Sequence, residues 1–270
     1  MDLNLSELCQ EVITIAKQAS DKILAVYNTE FDVTSKEDNT PLTEADMAAH
    51  HVITEGLTKL TPKIPILSEE SIDIPFSVRK QWKRYWLVDP LDGTREFVKQ
   101  NGEFTVNIAL IDNHRAILGV IHTPVSGVLY YATNHDGAFK QLPGEEPVAI
   151  HTRNKPQDKT LVAGSRSHRG ASLNEFLEKI GDHEIVSMGS SLKSCLVAEG
   201  SVDIYPRLGP TSEWDTAAAQ CIVENAGGQL LDLSMKPLLY NTKEELLNPH
   251  FLVIGDTSYD WGRYFRNTEF

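Results

Sequence analysis

The nine residues from Trp86 to Thr94 run an apolar stretch straight into two acids: Trp-Leu-Val-Asp-Pro-Leu-Asp-Gly-Thr. Tyr85-Trp86-Leu87-Val88 reads as a buried strand. Pro90 is expected to end its pairing and Gly93 to permit a tight turn. Asp89 and Asp92 then sit together at the end of a strand, where a rigid scaffold presents them. Two adjacent carboxylates repel unless a proton or a cation lies between them. All-oxygen ligands suit Mg²⁺, Mn²⁺ or Ca²⁺.

The chain's 270 residues can bury a large core, as one big domain or two modest ones. The net charge of −13 argues against a nucleic-acid polymer as partner, since such binding is driven by Lys and Arg on phosphates. A small phosphorylated ligand remains compatible, with divalent cations bridging the two sets of negative charge. No apolar run has membrane-spanning length. Asp2, Glu7 and Glu11 interrupt the N-terminus where a signal peptide would be apolar, so a cytoplasmic protein is expected. Cys9, Cys195 and Cys221 show neither metal spacing nor a disulfide framework and read as buried thiols.

Leu5, Leu8, Val12, Ile15, Ala16 and Ala19 recur at helical spacing, which predicts a first helix. Thr43 reads as an N-cap with Asp46 as its capping-box partner, ahead of a helix from about Glu44 to Leu60. Ile64 to Leu67 is a short strand leading into Ser68-Glu69-Glu70. Phe104 to Gln141 reads as a β-meander with turns at Asp112-Asn113, Ser126-Gly127 and Asp136-Gly137. The polar, proline-bearing stretch Pro143–Lys159 is a candidate boundary. Beyond it strands near 161–163, 185–188 and 203–205 alternate with helices near 172–180, 190–199 and 216–226. Strands at 230–233 and 251–254 follow, then a last helix holding Trp261, Tyr264 and Phe265. The expectation is α/β overall: an α+β half over residues 1–150 with an antiparallel sheet, and an α/β half over 151–270.

Taken singly, most of the acids have ordinary explanations. Asp215 reads as a helix N-cap, Glu69 and Glu70 as a solvated loop, Asp46 as a capping residue. The Asp89/Asp92 pair resists such a reading. A helix starting at Thr94 would add free N–H groups, an anion site beside the acids.

Leu67-Ser68-Glu69-Glu70, Trp86 to Thr94, and Trp214-Asp215-Thr216-Ala217-Ala218 resemble, in that order, three signature segments of the inositol-monophosphatase superfamily. Its members are magnesium-dependent, lithium-sensitive phosphatases. Arg95-Glu96-Phe97, Gly164 to His168 and Gly189 to Lys193 are most similar to the bacterial 3′(2′),5′-bisphosphate nucleotidases of the CysQ type. The resemblance implies a layered αβαβα sugar-phosphatase fold. It also implies Mg²⁺-dependent hydrolysis of the 3′-phosphate of adenosine 3′,5′-bisphosphate (PAP) to AMP, in sulfur metabolism, with PAPS as a second substrate.

Carried over by residue, the resemblance implies that Glu69, Asp89 and the Leu91 carbonyl hold one Mg²⁺. Asp89, Asp92 and Asp215 hold a second, and Glu70 a weaker third. The amides of Gly93 and Thr94 hold the departing phosphate, which Glu69, Leu91, Asp92 and Asp215 also surround. Asp46 and the Thr94 hydroxyl orient and deprotonate the attacking water, which replaces the pure capping reading of Asp46. His168, Ser190, Lys193 and Arg207 match the order and spacing of nucleotide contacts in eukaryotic relatives. Arg166 is a further candidate cation, whereas Arg169 reads as a surface charge. His50, His51, His114, His122, His135 and His151 form no metal signature and read as structural or surface residues. The resemblance also brings expectations of homodimers and of peripheral association with the inner membrane. The rival readings are an inositol monophosphatase or fructose-1,6-bisphosphatase of the same superfamily, and a non-catalytic metal- or nucleotide-binding protein.

Overall fold

The computed structural model describes residues 3–29, 41–155, 159–165 and 171–265. Two long helices open the chain, α1 (Leu5–Tyr27) and α2 (Pro41–Leu60). β1 (Ile66–Ser68), a 3-10 turn at Glu69–Ser71 and the single turn α3 (Phe76–Arg79) lead to β2 (Arg84–Asp92) and α4 (Thr94–Val98). β3 (Thr105–Asp112), β4 (Arg115–His122), β5 (Leu129–Thr133), β6 (Gly137–Gln141) and β7 (Val148–Ala149) complete a first sheet. Next come β8 (Thr160–Gly164), α5 (Ala171–Ile180), β9 (His183–Ser187), α6 (Leu192–Ala198) and β10 (Ile204–Arg207). α7 (Glu213–Asn225), β11 (Gln229–Asp232), β12 (Phe251–Ile254) and a 3-10 helix at Trp261–Tyr264 finish the chain.

α1 forms because its apolar residues fall on one stripe. Leu5, Leu8, Val12, Ile15, Ala16, Ala19 and Ile23 are all buried, and the Asn4 side chain accepts the Glu7 N–H at the N-terminus. In α2 Ala45, Ala49, Ile53 and Leu57 do the same. The helix begins at Pro41 rather than at the expected Thr43–Glu44, so Thr43 lies inside it and is no N-cap. Proline is tolerated in a first turn, where its missing N–H would have had no partner.

The first sheet runs β1 to β7 in sequence order, with β1 parallel to β2 and every other pair antiparallel. The meander is as expected, and β7 extends it into the Pro143–Lys159 stretch. Successive residues of β2 face opposite layers. Trp86 and Val88 join the core under α1 and α2, while Tyr85 and Leu87 join the core shared with α6 and α7. Gly119 of β4 lets α7 approach closely, since a Cβ there would lie 2.4 Å from the Ala218 carbonyl oxygen. The second sheet has the order β11-β12-β10-β8-β9, parallel among β10, β8 and β9 and antiparallel at β12. One face meets α6 and α7; the other buries Phe176, Trp261, Tyr264 and Phe265. The five layers are therefore αβαβα, as the resemblance implied.

Four further local expectations are corrected. Pro90 does not end β2. The ladder pairs Asp89 with Asn107, slips, and resumes at Asp92 with Thr105, a bulge that accommodates the missing N–H. α6 begins at Leu192 rather than Ser190, because Ser190 adopts a left-handed conformation with φ 50°. α7 begins at Glu213, three residues early, with Ser212 and not Asp215 as its N-cap. The final helix is a 3-10 segment. Among the described residues no helix is long and apolar enough to cross a membrane.

Candidate active site

Register brings the acids together. β1 and β2 pair in parallel with Ser68 opposite Val88, so the next residue of each strand is Glu69 and Asp89. The β2 bulge then delivers Asp92, and Gly93, with φ 97°, turns the chain into α4 at Thr94. α7 contributes Asp215, held by a capping box in which its Oδ2 accepts the Ser212 N–H at 2.9 Å. Asp89, Asp92 and Asp215 each offer an oxygen within 4.8 Å of the others.

Asp46, Glu69, Asp89 and Asp215 are held away from their ordinary ionisation. Burial, then Glu70 and Glu69, push Asp46 up to about 8. Burial, then Asp92, push Asp215 up to about 7. Burial, then Glu70 and Asp92, raise Glu69 to about 6. Asp89, 1% exposed, is raised well above the carboxylate range by burial and then by Asp92, Glu69, Asp215 and Asp46. Asp46 Oδ1 is buried without a hydrogen-bond partner. Converging carboxylates, Asp89 buried and Asp92 and Asp215 half-buried, fit a hard divalent cation, whose charge would offset their repulsion. The Leu91 N–H donates to Asp89 Oδ1 at 3.0 Å, which fixes that carboxylate against its own turn.

A cleft of about 740 Å³ opens beside the acids. Asp92, Gly93, Thr94 and Asp215 line it together with Ser190, Lys193 and Arg207. Of the metal ligands expected from sequence, Asp92 and Asp215 thus share one cavity with Ser190, Lys193 and Arg207, whereas Glu69, Asp89 and Leu91 do not line it. His168, Arg166 and Arg169 lie outside the described residues. Lys193 is buried, its Nζ donating to the Ser190 carbonyl at 2.7 Å and the Met188 carbonyl at 3.3 Å. It also lies 5.4 Å from the Tyr205 ring. Burial lowers the Lys193 pKa to about 8, with Asp92 opposing. Arg207 donates to the Pro210 carbonyl at 2.9 Å and keeps a buried Nε without a partner.

Sequence reasoning missed the polar network behind Asp92. Its Oδ2 accepts from Ser190 Oγ and Ser191 N, both at 2.6 Å, and from Ser191 Oγ at 2.7 Å. Asn107 and Thr105, on one face of β3, complete the network. The available signal was two polar residues alternating into an apolar strand, since a buried amide must find partners. Among the described residues no histidine takes part in the carboxylate cluster. His50 and His122 instead pair with Ser68 and Ser20, as structural residues do.

Comparison with known proteins places this geometry. The model of the inositol monophosphatase family matches residues 4–257. The 3′(2′),5′-bisphosphate nucleotidase CysQ of Escherichia coli (strain K12) is 49% identical over 252 residues, covering 92% of this chain and 98% of that protein. The CysQ of Haemophilus influenzae is 42% identical, covering 98% and 99%. The crystal structure of CysQ from Bacteroides thetaiotaomicron superposes with a TM-score of 0.84 at 40% identity, covering 94% of this chain and 99% of that one. With the acids, the capping geometry and the layered sheets in place, the chain belongs to the inositol monophosphatase family.

Proposed function

We propose that this protein is a Mg²⁺-dependent phosphatase that removes the 3′-phosphate of adenosine 3′,5′-bisphosphate, giving AMP, with PAPS as a second substrate. One observation carries the reading: a single cleft lined both by the acids Asp92 and Asp215 and by the cations Lys193 and Arg207. A substrate with two phosphates matches that layout. The acids take the reacting phosphate through cations, and the basic residues take the other. The relatives' shared name, 3′(2′),5′-bisphosphate nucleotidase, supports the same substrate class. In this reading residues 1–150 supply all the metal ligands but Asp215, and residues 151–270 the nucleotide contacts.

Glu69, Asp89 and the Leu91 carbonyl would hold one cation, Asp89, Asp92 and Asp215 a second, and Glu70 would serve a weaker third. Bound there, Mg²⁺ supplies charge neutralisation on the phosphoryl oxygens and a more acidic water. Thr94 and Gly93 receive the phosphoryl group through their amides. Asp46, with its buried unpartnered oxygen, takes the proton of the attacking water through the Thr94 hydroxyl. Lys193 and Arg207 fix the second phosphate and so set the in-line geometry.

A substrate panel tests the proposal. PAP should be hydrolysed in Mg²⁺ far faster than inositol 1-phosphate or fructose 1,6-bisphosphate. Comparable turnover of the inositol ester would discard the nucleotide reading.

A further inference from the structure

We propose that Ser191 is a positioning residue that joins Asp92 and Asp215 into one metal-binding geometry; this rests on the metal-phosphatase reading above. Asp92 follows a bulge and precedes a left-handed glycine, so regular strand pairing does not hold its side chain. Its orientation comes instead from the turn between β9 and α6. Ser191 contributes both its N–H, at 2.6 Å, and its Oγ, at 2.7 Å, to Asp92 Oδ2. The same Oγ lies 2.9 Å from the Asp215 carbonyl oxygen. One side chain therefore touches both aspartates, which are far apart in sequence and arrive from different elements, β2 and α7.

Proton accounting gives the contact a direction. A serine hydroxyl has one proton and two lone pairs. Asn107 Nδ2 donates into Ser191 Oγ at 2.9 Å, filling an acceptor position. The hydroxyl proton then points to Asp92 Oδ2 or to the Asp215 carbonyl, both of which only accept when Asp92 is ionised. Ser190 Oγ adds a further donor to Oδ2 at 2.6 Å. With Oδ2 engaged by neutral donors, Oδ1 is left as the oxygen for a cation. Ser191 thus selects which oxygen of Asp92 binds and ties it to the start of α7, where Asp215 stands. A residue that merely built the turn would need only its backbone.

The test compares Mn²⁺ binding by the wild type, Ser191→Ala and Ser191→Cys, followed by calorimetry and by the Mn²⁺ resonance signal. Cysteine keeps nearly the volume but is a weak donor, so it separates packing from hydrogen bonding. Both variants should bind Mn²⁺ at least about tenfold more weakly, the range seen when a group orienting a metal ligand is lost. At limiting Mg²⁺ kcat should fall in both, and KM for PAP should stay at the wild-type value. Wild-type Mn²⁺ affinity in either folded variant would overturn the proposal. Failure of both variants to fold in EDTA would also overturn it, making Ser191 a folding residue. Weaker Mn²⁺ binding by the variants upholds it even if the wild type leaves PAP intact, so it stands or falls separately from the substrate assignment.

Discussion

Asp215 Oδ2 accepts the backbone N–H of Ser212 at 2.9 Å, so a single carboxylate closes the N-terminus of α7 and faces Asp89 and Asp92. The two duties separate by mutation. Asp215→Asn keeps an acceptor for the cap but loses the charge. Its kcat in Mg²⁺ should fall by at least about a hundredfold, a loss of roughly 3 kcal/mol of transition-state stabilisation. In EDTA its Tm should equal or exceed that of the wild type, because repulsion is relieved. Asp215→Ala should also lose about 1 kcal/mol from the cap. A marked drop in Tm for the asparagine variant in EDTA would contradict this division.

The raised acids make the metal-free protein sensitive to alkali. Burial and like charge hold Asp46 up to about 8 and Asp215 up to about 7, and burial holds Glu213 up to about 7. The folded state keeps protons that the unfolded chain has released. The stability these groups contribute is full at low pH and is lost as pH rises through their folded values. His122 works oppositely, since burial lowers it to about 4. Its contribution is gained as pH rises from there and is complete above its ordinary value near about 6.5. Between about pH 6.5 and 8 the acids therefore set the slope. Thermal unfolding in EDTA should show Tm falling across that window, and saturating Mg²⁺ should flatten the fall. A Tm that rises with pH in EDTA would show that these carboxylates are ionised in the folded state.

Lys193 links substrate binding to pH. Burial lowers its pKa to about 8, so it is charged below that value and loses its proton above it. KM for PAP should rise above about pH 8 in the wild type and stay flat across that range in Lys193→Met. At pH 7 the variant's KM should already be about tenfold higher, the worth of one charge-assisted contact. An identical pH profile in both proteins would exclude Lys193 from the substrate contacts.

The three acid segments, the meander and the amphipathic first helix were legible because each is local: a period, a turn signal or an ordered motif. What escaped depends on partners distant in sequence. Asn107 meets Ser191 from 84 positions away, and nothing near either residue announces the other. Pro90 looked like a strand end because its N–H is missing, but a bulge absorbs the defect. Ser190 looked like the first residue of a helix, yet its left-handed backbone delays α6. Asp215 looked like a cap, and it is part of one, at the third helical position with Ser212 as the cap itself.

Arg79 anchors the loop that follows β11. It is 2% exposed and donates to Asn241 Oδ1 at 2.6 Å, while Asn241 N donates to Glu213 Oε2 at 2.8 Å beside Trp214 and Asp215. Arg79→Ala should destabilise the protein by on the order of 3 kcal/mol, as expected when a buried charged donor is removed. Urea unfolding reads this directly, and a loss below about 1 kcal/mol would show that the loop is held by other contacts.

The most direct measurement follows phosphorus resonances as PAP is incubated with the protein, with Mg²⁺ and with EDTA. Inorganic phosphate and AMP carrying the 5′-phosphate should appear together in Mg²⁺, and neither in EDTA. Release of the 5′-phosphate instead, or no release in Mg²⁺, would contradict the account.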